Sequence, residues 1–403
     1  MRKVWTMAAV GIALAAVTAM LALRGTDDEV TAGDGSRTET PLPVGVEQIA
    51  GDAPENVPSA LDDMRNPAFP GPLVDPDAIR SGGPPPDGIP SIDDPRFEVA
   101  SSVDWIEDVE PVLVLEVDGD ARAYPVQIMT WHEIVNDTVG GVPVTVSYCP
   151  LCNSAIAYVR RIDDRTLDFG TSGRLLNSSL VMYDRQTESL WSHFTGQAVI
   201  GVLTGTTLDT VPVTTVSWET FHTAHPVGLV LSRDTGFQRN YGRNPYPGYD
   251  DVTQLPYLFD GDPDGRLPAQ TRVVAVRGND GTIAVALDDL AAAGTMTATL
   301  DGQQIVLLHT PGTASALDAT TVAGGRDVGA VGVYHATIDR RRVELVARDD
   351  GTFVDAATGS AFDVLGSATD GELAGARLVP VEHLDTFWFA IAAFEPDTRI
   401  LTP

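Results

Sequence analysis

The sequence predicts a mainly β protein of the α+β type, built as two tandem, duplicated β-rich units that each carry one or two short helices. From Val112 onward, short runs rich in Val, Thr and Tyr alternate with Gly and Asp turns, which is the pattern of short strands. Residues 121–155 also match residues 282–316 without a gap at an offset of 161. We therefore predict a first unit over 96–265 and a second, degenerate unit over 266–403.

The amino terminus has the features of an export signal. Residues 1–3 contain two basic side chains, residues 4–23 are uncharged and apolar, and residues 27–29 are all acidic. Positive charge before the apolar stretch and negative charge after it indicate that the body of the protein crosses the membrane. Residues 1–24 are therefore predicted to be a signal-anchor or a signal peptide, which makes the protein either membrane-anchored with an extracytoplasmic body or secreted.

A tether is predicted between the export signal and the first unit. Residues 25–95 contain 13 of the 28 prolines, mixed with Gly, Asp and Ser. This composition is typical of a linker that has too little apolar material for a core of its own. The last part, 82–97, contains three large apolar residues, and we expect it to dock on the body as an ordered arm.

The net charge limits the kinds of partner. The 403 residues include 26 basic and 56 acidic side chains, which gives a formal charge of −30. Such a surface is repelled by phosphate backbones and by anionic lipid, so nucleic acid is excluded as a partner. We expect membrane contact only through the amino-terminal segment, and an extracytoplasmic partner or small ligand that the sequence does not identify.

The two units differ in their polar residues. In the second unit, residues 286–293 are predicted to form a helix that stops at Gly294. The counterpart in the first unit, 125–132, begins with proline and ends at His132. Since the second unit has lost most of the candidate chemistry, the first unit is expected to contain the functional site.

The two cysteines are the clearest candidates for chemistry. Cys149 and Cys152 lie in a Cys-Pro-Leu-Cys turn between two predicted strands, and the second unit has Thr310 and Thr313 at these positions. If threonine suffices to build the turn, the sulfur atoms serve another purpose. A thioredoxin fold is not favoured, because the residues after Cys152 predict a strand instead of a helix.

Metal binding is our first hypothesis for this turn. Thiolates three positions apart can share one metal ion. His132 and Glu133 are the best additional ligands, since the turn at 140–141 would bring them near the cysteines. Met182 and His193 are weaker candidates. Sulfur and imidazole ligands suit copper or zinc, and no other cofactor is expected.

Two other hypotheses use the same atoms. Cys149 and Cys152 can cycle between dithiol and disulfide, with His132 or Glu133 tuning the thiolate. Alternatively, the pair forms a small disulfide in a structural or adhesion scaffold. The sequence contains no nucleophile elbow, phosphate-binding loop or zinc-protease motif, so it assigns no enzyme class.

Several of these segments resemble a family of exported prokaryotic proteins classed as a domain of unknown function. The shared marks are WHEIVND at 131–137, YCPLC at 148–152 and the pattern MYDRxTxSxW at 182–191. The resemblance covers most of 82–249, and it implies that any chemistry of the family depends on the cysteines, the histidine and the glutamate of these motifs. Position 193, where glutamine is more usual, departs from the family pattern. The resemblance implies no reaction.

Overall fold

A computed structural model describes residues 57–402 of the chain. The predicted export signal, 1–24, and the beginning of the predicted tether lie outside the described residues. Within 57–402, no helix has the length and apolar character needed to cross a membrane.

The first half of the described chain is rich in short strands, with two α-helices of two turns each. Its elements are β1 (Ile79–Ser81), β2 (Phe97–Val99), β3 (Pro111–Val117), β4 (Asp120–Pro125), α1 (Val126–His132), β5 (Ile134–Val139), β6 (Val142–Cys149), β7 (Ser154–Val159), β8 (Arg161–Ile162), β9 (Arg165–Thr166), β10 (Phe169–Leu176), β11 (Ser179–Asp184), β12 (Leu190–Ser192), β13 (Ala198–Ile200), β14 (Thr210–Val211), β15 (Val213–Ser217), α2 (Trp218–Ala224) and β16 (Leu229–Leu231). Two short 3-10 turns span Pro76–Ala78 and Ala100–Ser102.

The second half has a similar element order. It contains β17 (Arg272–Val276), β18 (Ile283–Ala286), α3 (Leu287–Ala293), β19 (Thr295–Leu300), β20 (Gln303–Thr310), β21 (Ala330–His335), β22 (Thr337–Ile338), β23 (Arg341–Arg342), β24 (Leu345–Ala347), β25 (Phe353–Asp355), β26 (Ala361–Phe362), β27 (Ala368–Asp370), β28 (Leu384–Phe387), α4 (Trp388–Phe394) and β29 (Arg399–Leu401). The predicted mainly β fold class is therefore confirmed.

Sheet topology recurs between the halves. The sheet β15-β3-β4-β16, extended by β2, has the same order as the sheet β28-β17-β18-β29. The outer strand pairs in parallel in both sheets, β16 with β4 and β29 with β18, whereas the other pairs are antiparallel. The antiparallel meanders β5-β6-β7 and β19-β20-β21 correspond in the same way. This recurrence agrees with two copies of one unit, and the duplication itself stays a prediction.

The two halves share their hydrophobic cores. One core combines Trp218 and Phe221 of α2 with Phe353 and Phe362 of the second half. A second core combines the cysteine turn and strands β10 to β12 with β17, β28 and α4. Burial of apolar surface in a shared core is the main stabilising term in folding, so the units predicted at 96–265 and 266–403 stabilise each other and are not separate bodies.

The segment before the first unit contacts the body at several points between residues 57 and 95. Strand β1 pairs with β10, and Ala60 is fully buried. Further along, Ile92 forms a parallel bridge with Val135 and is 2% exposed. A few apolar anchors and backbone hydrogen bonds therefore hold parts of this proline-rich segment, including the arm at 82–97, against the body. The bounds of the tether stay a prediction.

Candidate functional site

The Cys-Pro-Leu-Cys turn joins β6 to β7 at the centre of the molecule. Cys149 is the last residue of β6, and β7 begins at Ser154. Asn153 closes the turn with φ of 49°, a left-handed conformation that asparagine tolerates better than most residues. Both sulfurs are free thiols, and the residues are 2% and 0% exposed. The turn thus holds a reduced, buried dithiol.

Hydrogen bonds make the two thiols unequal. The sulfur of Cys152 lies 3.0 Å from Ser154 Oγ and 3.5 Å from Ser179 Oγ, and it also accepts a hydrogen bond from Cys149. Burial raises the pKa of Cys152, but these hydrogen bonds outweigh burial and hold it below its usual value. Burial and the bond to Cys152 both raise the pKa of Cys149. Cys152 is therefore the sulfur that loses its proton first.

A buried imidazole is connected to Cys152 through one hydroxyl. His193, just after β12, places Nε2 2.9 Å from Ser154 Oγ and Nδ1 2.9 Å from Ser147 Oγ. The hydroxyl of Ser147 donates to the carbonyl of Ile156, so it accepts from Nδ1–H, which leaves Nε2 free to accept from Ser154. Burial lowers the pKa of His193 and favours this neutral ring. The chain from sulfur through hydroxyl to imidazole can carry a proton.

The second half of the molecule holds this turn in position. The carbonyl of Cys152 accepts hydrogen bonds from Thr386 Oγ1 at 2.8 Å and from the amide of Phe387 at 3.1 Å. Both donors belong to the end of β28. A residue on a turn is usually among the more mobile parts of a protein, so these two bonds and the surrounding core fix the sulfur against its serine neighbours.

Glu133 lies on another side of the dithiol in a strained backbone conformation. It terminates α1 with φ of 60° and ψ of −30°, and Gly294 terminates α3 with nearly the same angles, 71° and −40°. Glycine adopts such angles without cost, whereas another residue loses about 1–3 kcal/mol. The first half thus has a strained glutamate where the second has a glycine that suits the conformation.

The carboxyl group of Glu133 is buried next to Cys149. The residue is 8% exposed, and its carboxyl group makes no hydrogen bond and no ion pair with any residue of 57–402. Burial raises its pKa well above the usual value, and the nearby Cys149 raises it further. Burial and the neighbouring thiol thus both disfavour the charged form of this carboxyl, as expected for an unpaired acid in a site with little water.

A cavity borders Glu133 and reaches the cysteine turn at Leu151. Its volume is about 50 Å³, and it is partly open to solvent. Its walls are the arm, the strand pair β10 and β11, the cysteine turn and a tyrosine-bearing loop, contributed chiefly by Ile89, Leu151, Leu175, Leu180, Tyr246 and Tyr257. Leu151 lies between the two cysteines in sequence, and the backbone of Leu180 hydrogen-bonds Cys149. The cavity therefore reaches residues that neighbour the cysteines, while the sulfurs themselves lie behind its wall.

The histidine predicted as a ligand is used elsewhere. His132 Nδ1 lies 2.7 Å from the carbonyl oxygen of Pro90, and Nε2 lies 2.6 Å from the hydroxyl of Tyr241. Both ring nitrogens therefore have partners, and the ring fastens the arm to the body. The imidazole connected to the dithiol belongs to His193, which the sequence ranked lower. His132 and Glu133 are adjacent in sequence, but α1 ends between them. The side chain of His132 therefore contacts the arm, whereas that of Glu133 lies near Cys149.

The remaining predicted ligands do not complete a metal centre. Met182 is buried in the same core as the two cysteines. In the part of the chain that the structure describes, no group of three or more His, Cys, Asp or Glu side chains is placed to hold a metal ion. The residues that sequence reasoning missed are the serines Ser147, Ser154 and Ser179. Serine is common in strands and turns, and only the three-dimensional register identifies these three.

Comparison with known proteins identifies the family of the chain. No curated protein and no solved structure matches it. A family model with the description "Protein of unknown function (DUF3179)" matches residues 86–398. The match begins in the arm and ends just after α4, so it includes the cysteine turn and all of the second half except the last strand, β29. Since it covers well over half of the sequence, the chain belongs to the DUF3179 family of proteins of unknown function.

Proposed function

We propose that this protein is an extracytoplasmic dithiol–disulfide redox protein that uses Cys149 and Cys152. The observation that carries the proposal is the hydrogen-bonded chain from Cys152 through Ser154 to His193. A dithiol donates two electrons and two protons when its sulfurs bond to each other. Two features support this reaction: the pKa of the Cys152 thiol is lowered, and Ser154 connects this sulfur to an imidazole that can take its proton.

The asymmetry of the sulfurs defines their roles. Cys152 has the lowered pKa and attacks as the thiolate, because thiolates and not thiols are the nucleophiles. Cys149 retains its proton. Cys152 is therefore the sulfur that reacts with a two-electron oxidant first; Cys149 then attacks the Cys152 sulfur, its S–H bond breaks, and the electron pair and the protons leave with the reduced oxidant.

Burial limits the kind of oxidant. Residues that are 2% and 0% exposed cannot be reached by a second protein without opening of the core. A small molecule needs a smaller opening than a protein does, and the cavity already reaches Leu151 of the cysteine turn. This favours a small-molecule oxidant over direct exchange with a protein disulfide, in contrast to exposed Cys-x-x-Cys motifs, whose cysteines are accessible to partners.

The decisive experiment measures the redox equilibrium of the full-length chain. Thiols are counted after incubation in dithiothreitol buffers of graded potential, and metal content is measured on the same samples. We expect two thiols to disappear together as one two-electron couple, without bound metal. The Cys149→Ser variant, which retains one thiol, should show no such transition.

The other two hypotheses predict different results. About one equivalent of copper or zinc that is lost in Cys149→Ser would instead support metal binding. A metal-free bond that resists reduction at every potential would support the scaffold. Two thiols that stay reduced at every potential would overturn the redox proposal.

The role of the imidazole has its own test. His193→Gln retains a hydrogen-bonding side chain but removes the titratable nitrogen, so we expect thiol oxidation to slow by about tenfold or more and to lose its dependence on an imidazole pKa. The measurement is the oxidation rate as a function of pH. His383→Gln, at a buried histidine of the second half, is the matched control. Equal pH profiles for the wild type and His193→Gln would contradict the relay.

A further inference from the structure

A second cavity lies between the two halves of the molecule. Its volume is about 30 Å³, and it is partly open to solvent. By the same measure a single water needs about 10–15 Å³. The cavity therefore has room for about two or three waters, or for one molecule of similar size.

Equivalent positions of the two halves line this cavity, but with different residues. Pro111 and Thr215 belong to strands β3 and β15 of the first half. The corresponding strand pair of the second half, β17 and β28, has Arg272 and Asp385 at the same places in its register. Two ionisable side chains thus stand where the first half has proline and threonine, so the charge in this cavity comes from the second half.

Both ionisable side chains have a buried atom without a partner. Arg272 is 9% exposed, and its Nη2 donates to Asp250 at 3.1 Å and to Ser315 at 2.8 Å. Its Nε–H has no acceptor among the residues that the structure describes, and Oδ1 of Asp385 has no donor there. Since buried polar atoms are rarely left unpaired in proteins, these two atoms indicate a missing hydrogen-bonding molecule.

The polar groups around this space are mainly donors. A guanidinium group has no acceptor atom. The side-chain oxygen of Asn153 accepts from the Tyr148 hydroxyl at 3.3 Å, whereas its amide nitrogen makes no hydrogen bond with residues of 57–402. Burial raises the pKa of Asp385 despite the nearby Arg272, which favours the protonated form that can also donate. A ligand made of acceptors fits these groups best.

The neighbouring ion pairs leave positive charge to be balanced. Asp250 is fully buried and contacts both Arg272, at 3.1 Å, and Arg326, at 2.8 Å. One buried carboxylate is therefore shared between two guanidinium groups. Arg326 also contacts Asp318 at 3.3 Å, but both of these side chains are substantially exposed, where water screens the pair. An anion beside Arg272 would gain a counter-charge that a neutral molecule cannot use.

We propose that this cavity binds a carboxylate of one or two carbons, formate or acetate, between Arg272 and Asp385. One ligand oxygen accepts from Arg272 Nε, and the other shares a proton with the carboxyl group of Asp385. Carboxylates are small acceptor-only groups, and their hydrogen bonds to guanidinium are among the stronger ones in proteins. The site is independent of the dithiol function proposed above.

The test measures ligand binding to the full-length chain by ligand-observed proton NMR. Titrations give the dissociation constants of formate, of formamide, which is a neutral molecule of nearly the same size, and of benzoate, which is too large for the cavity. We expect a dissociation constant of about 1 mM for formate, because so small a ligand makes few contacts. Formamide should bind about tenfold or more weakly, and benzoate should not bind.

Three variants locate the binding site. Asp385→Asn retains a donor of the same size and should retain formate binding, whereas Asp385→Val removes the donor and should weaken binding by about tenfold. Ala314→Val narrows the cavity at a wall residue that is 4% exposed and should also weaken formate binding. Urea unfolding of each variant checks that it is folded under the conditions of the titration.

Several results would overturn the proposal. Absence of formate binding would assign the cavity to water alone. Benzoate binding as tightly as formate would place the carboxylate on a surface arginine, and equal losses in Asp385→Asn and Asp385→Val would contradict the shared proton. None of these results bears on the dithiol couple, which is measured separately with dithiothreitol.

Discussion

At the scale of single residues, the two halves have different residue types at the end of corresponding helices, α1 and α3. Glu133 and Gly294 have nearly the same backbone angles, so the fold requires the left-handed turn and does not require the side chain. Comparing the two positions therefore distinguishes the requirement of the backbone conformation from the role of the side chain. Cys149 and Cys152 can be compared with Thr310 and Thr313 in the same way, because threonine at these positions also allows the turn.

Replacing the strained residue should stabilise the protein. Glu133→Gly relieves the backbone strain and removes an unpaired buried carboxyl, so we expect the free energy of unfolding to rise by about 1–2 kcal/mol. Urea unfolding measures the change. Gly294→Ala is the matched control and should destabilise, because the added Cβ would lie 2.5 Å from Cβ of Ala347 at φ of 71°. A lower stability of Glu133→Gly would show that the carboxyl has a structural role.

At the scale of elements, the arm depends on the ring at the end of α1. The His132 ring donates to the carbonyl of Pro90 through Nδ1 and accepts from the hydroxyl of Tyr241 through Nε2. The second of these bonds requires a neutral ring, and burial lowers the pKa of His132 from 6.5 to about 4. Protonation would replace the lone pair at Nε2 with a second N–H. The contact between the arm and the body is therefore weakened when the ring is charged.

The resulting pH dependence has a definite sign. Between pH 6.5 and 4 the unfolded chain binds a proton at His132 and the folded chain does not, so the stability contributed by the neutral ring is complete above pH 6.5 and is lost as the pH falls to 4. A shift from 6.5 to about 4 corresponds to about 3 kcal/mol. We expect the stability difference between the wild type and His132→Gln to shrink over this range in urea titrations.

The comparison with the variant removes contributions from other groups. Burial raises the pKa of Glu110 to about 7, and this carboxyl favours folding more strongly at low pH, in the opposite direction. Its contribution is present in both proteins and cancels in the difference. A difference that stays constant from pH 4 to 6.5 would contradict the assignment to His132.

Local sequence patterns predicted the elements around the site well. The strand ending at Cys149, the strand that follows the turn and the helix that ends at His132 all agree with the structure within about one residue, because turn residues and strand periodicity are local signals. The serine partners of the sulfurs were not predicted, and His193 was predicted only as a weaker candidate ligand. Ser179 begins β11 and His193 follows β12, both far along the chain, and sequence spacing does not encode which strands become neighbours.

At the scale of the whole molecule, the halves are joined through shared cores. The dithiol turn packs against Trp388 and Phe389 of the second half, and Phe353 packs with α2 of the first. Each half would expose a large apolar surface without the other. Contributions to stability from the two halves are therefore not independent.

Thermal unfolding should be a single cooperative transition. Chains of two separable domains commonly unfold in steps, whereas a shared core couples the halves. We expect scanning calorimetry of the full-length chain to give one peak whose calorimetric and van't Hoff enthalpies agree. Phe353→Ala, which removes a buried ring from the shared core, should lower the midpoint of the whole transition. Two resolved peaks, only one of which shifts, would contradict the coupling.

The two hydrogen bonds from β28 to the carbonyl of Cys152 make the reactive turn dependent on residues 234 or more positions away. A fragment that ends before residue 386 lacks both donors. The first half expressed without the second would therefore leave this carbonyl and the adjoining sulfur without their support.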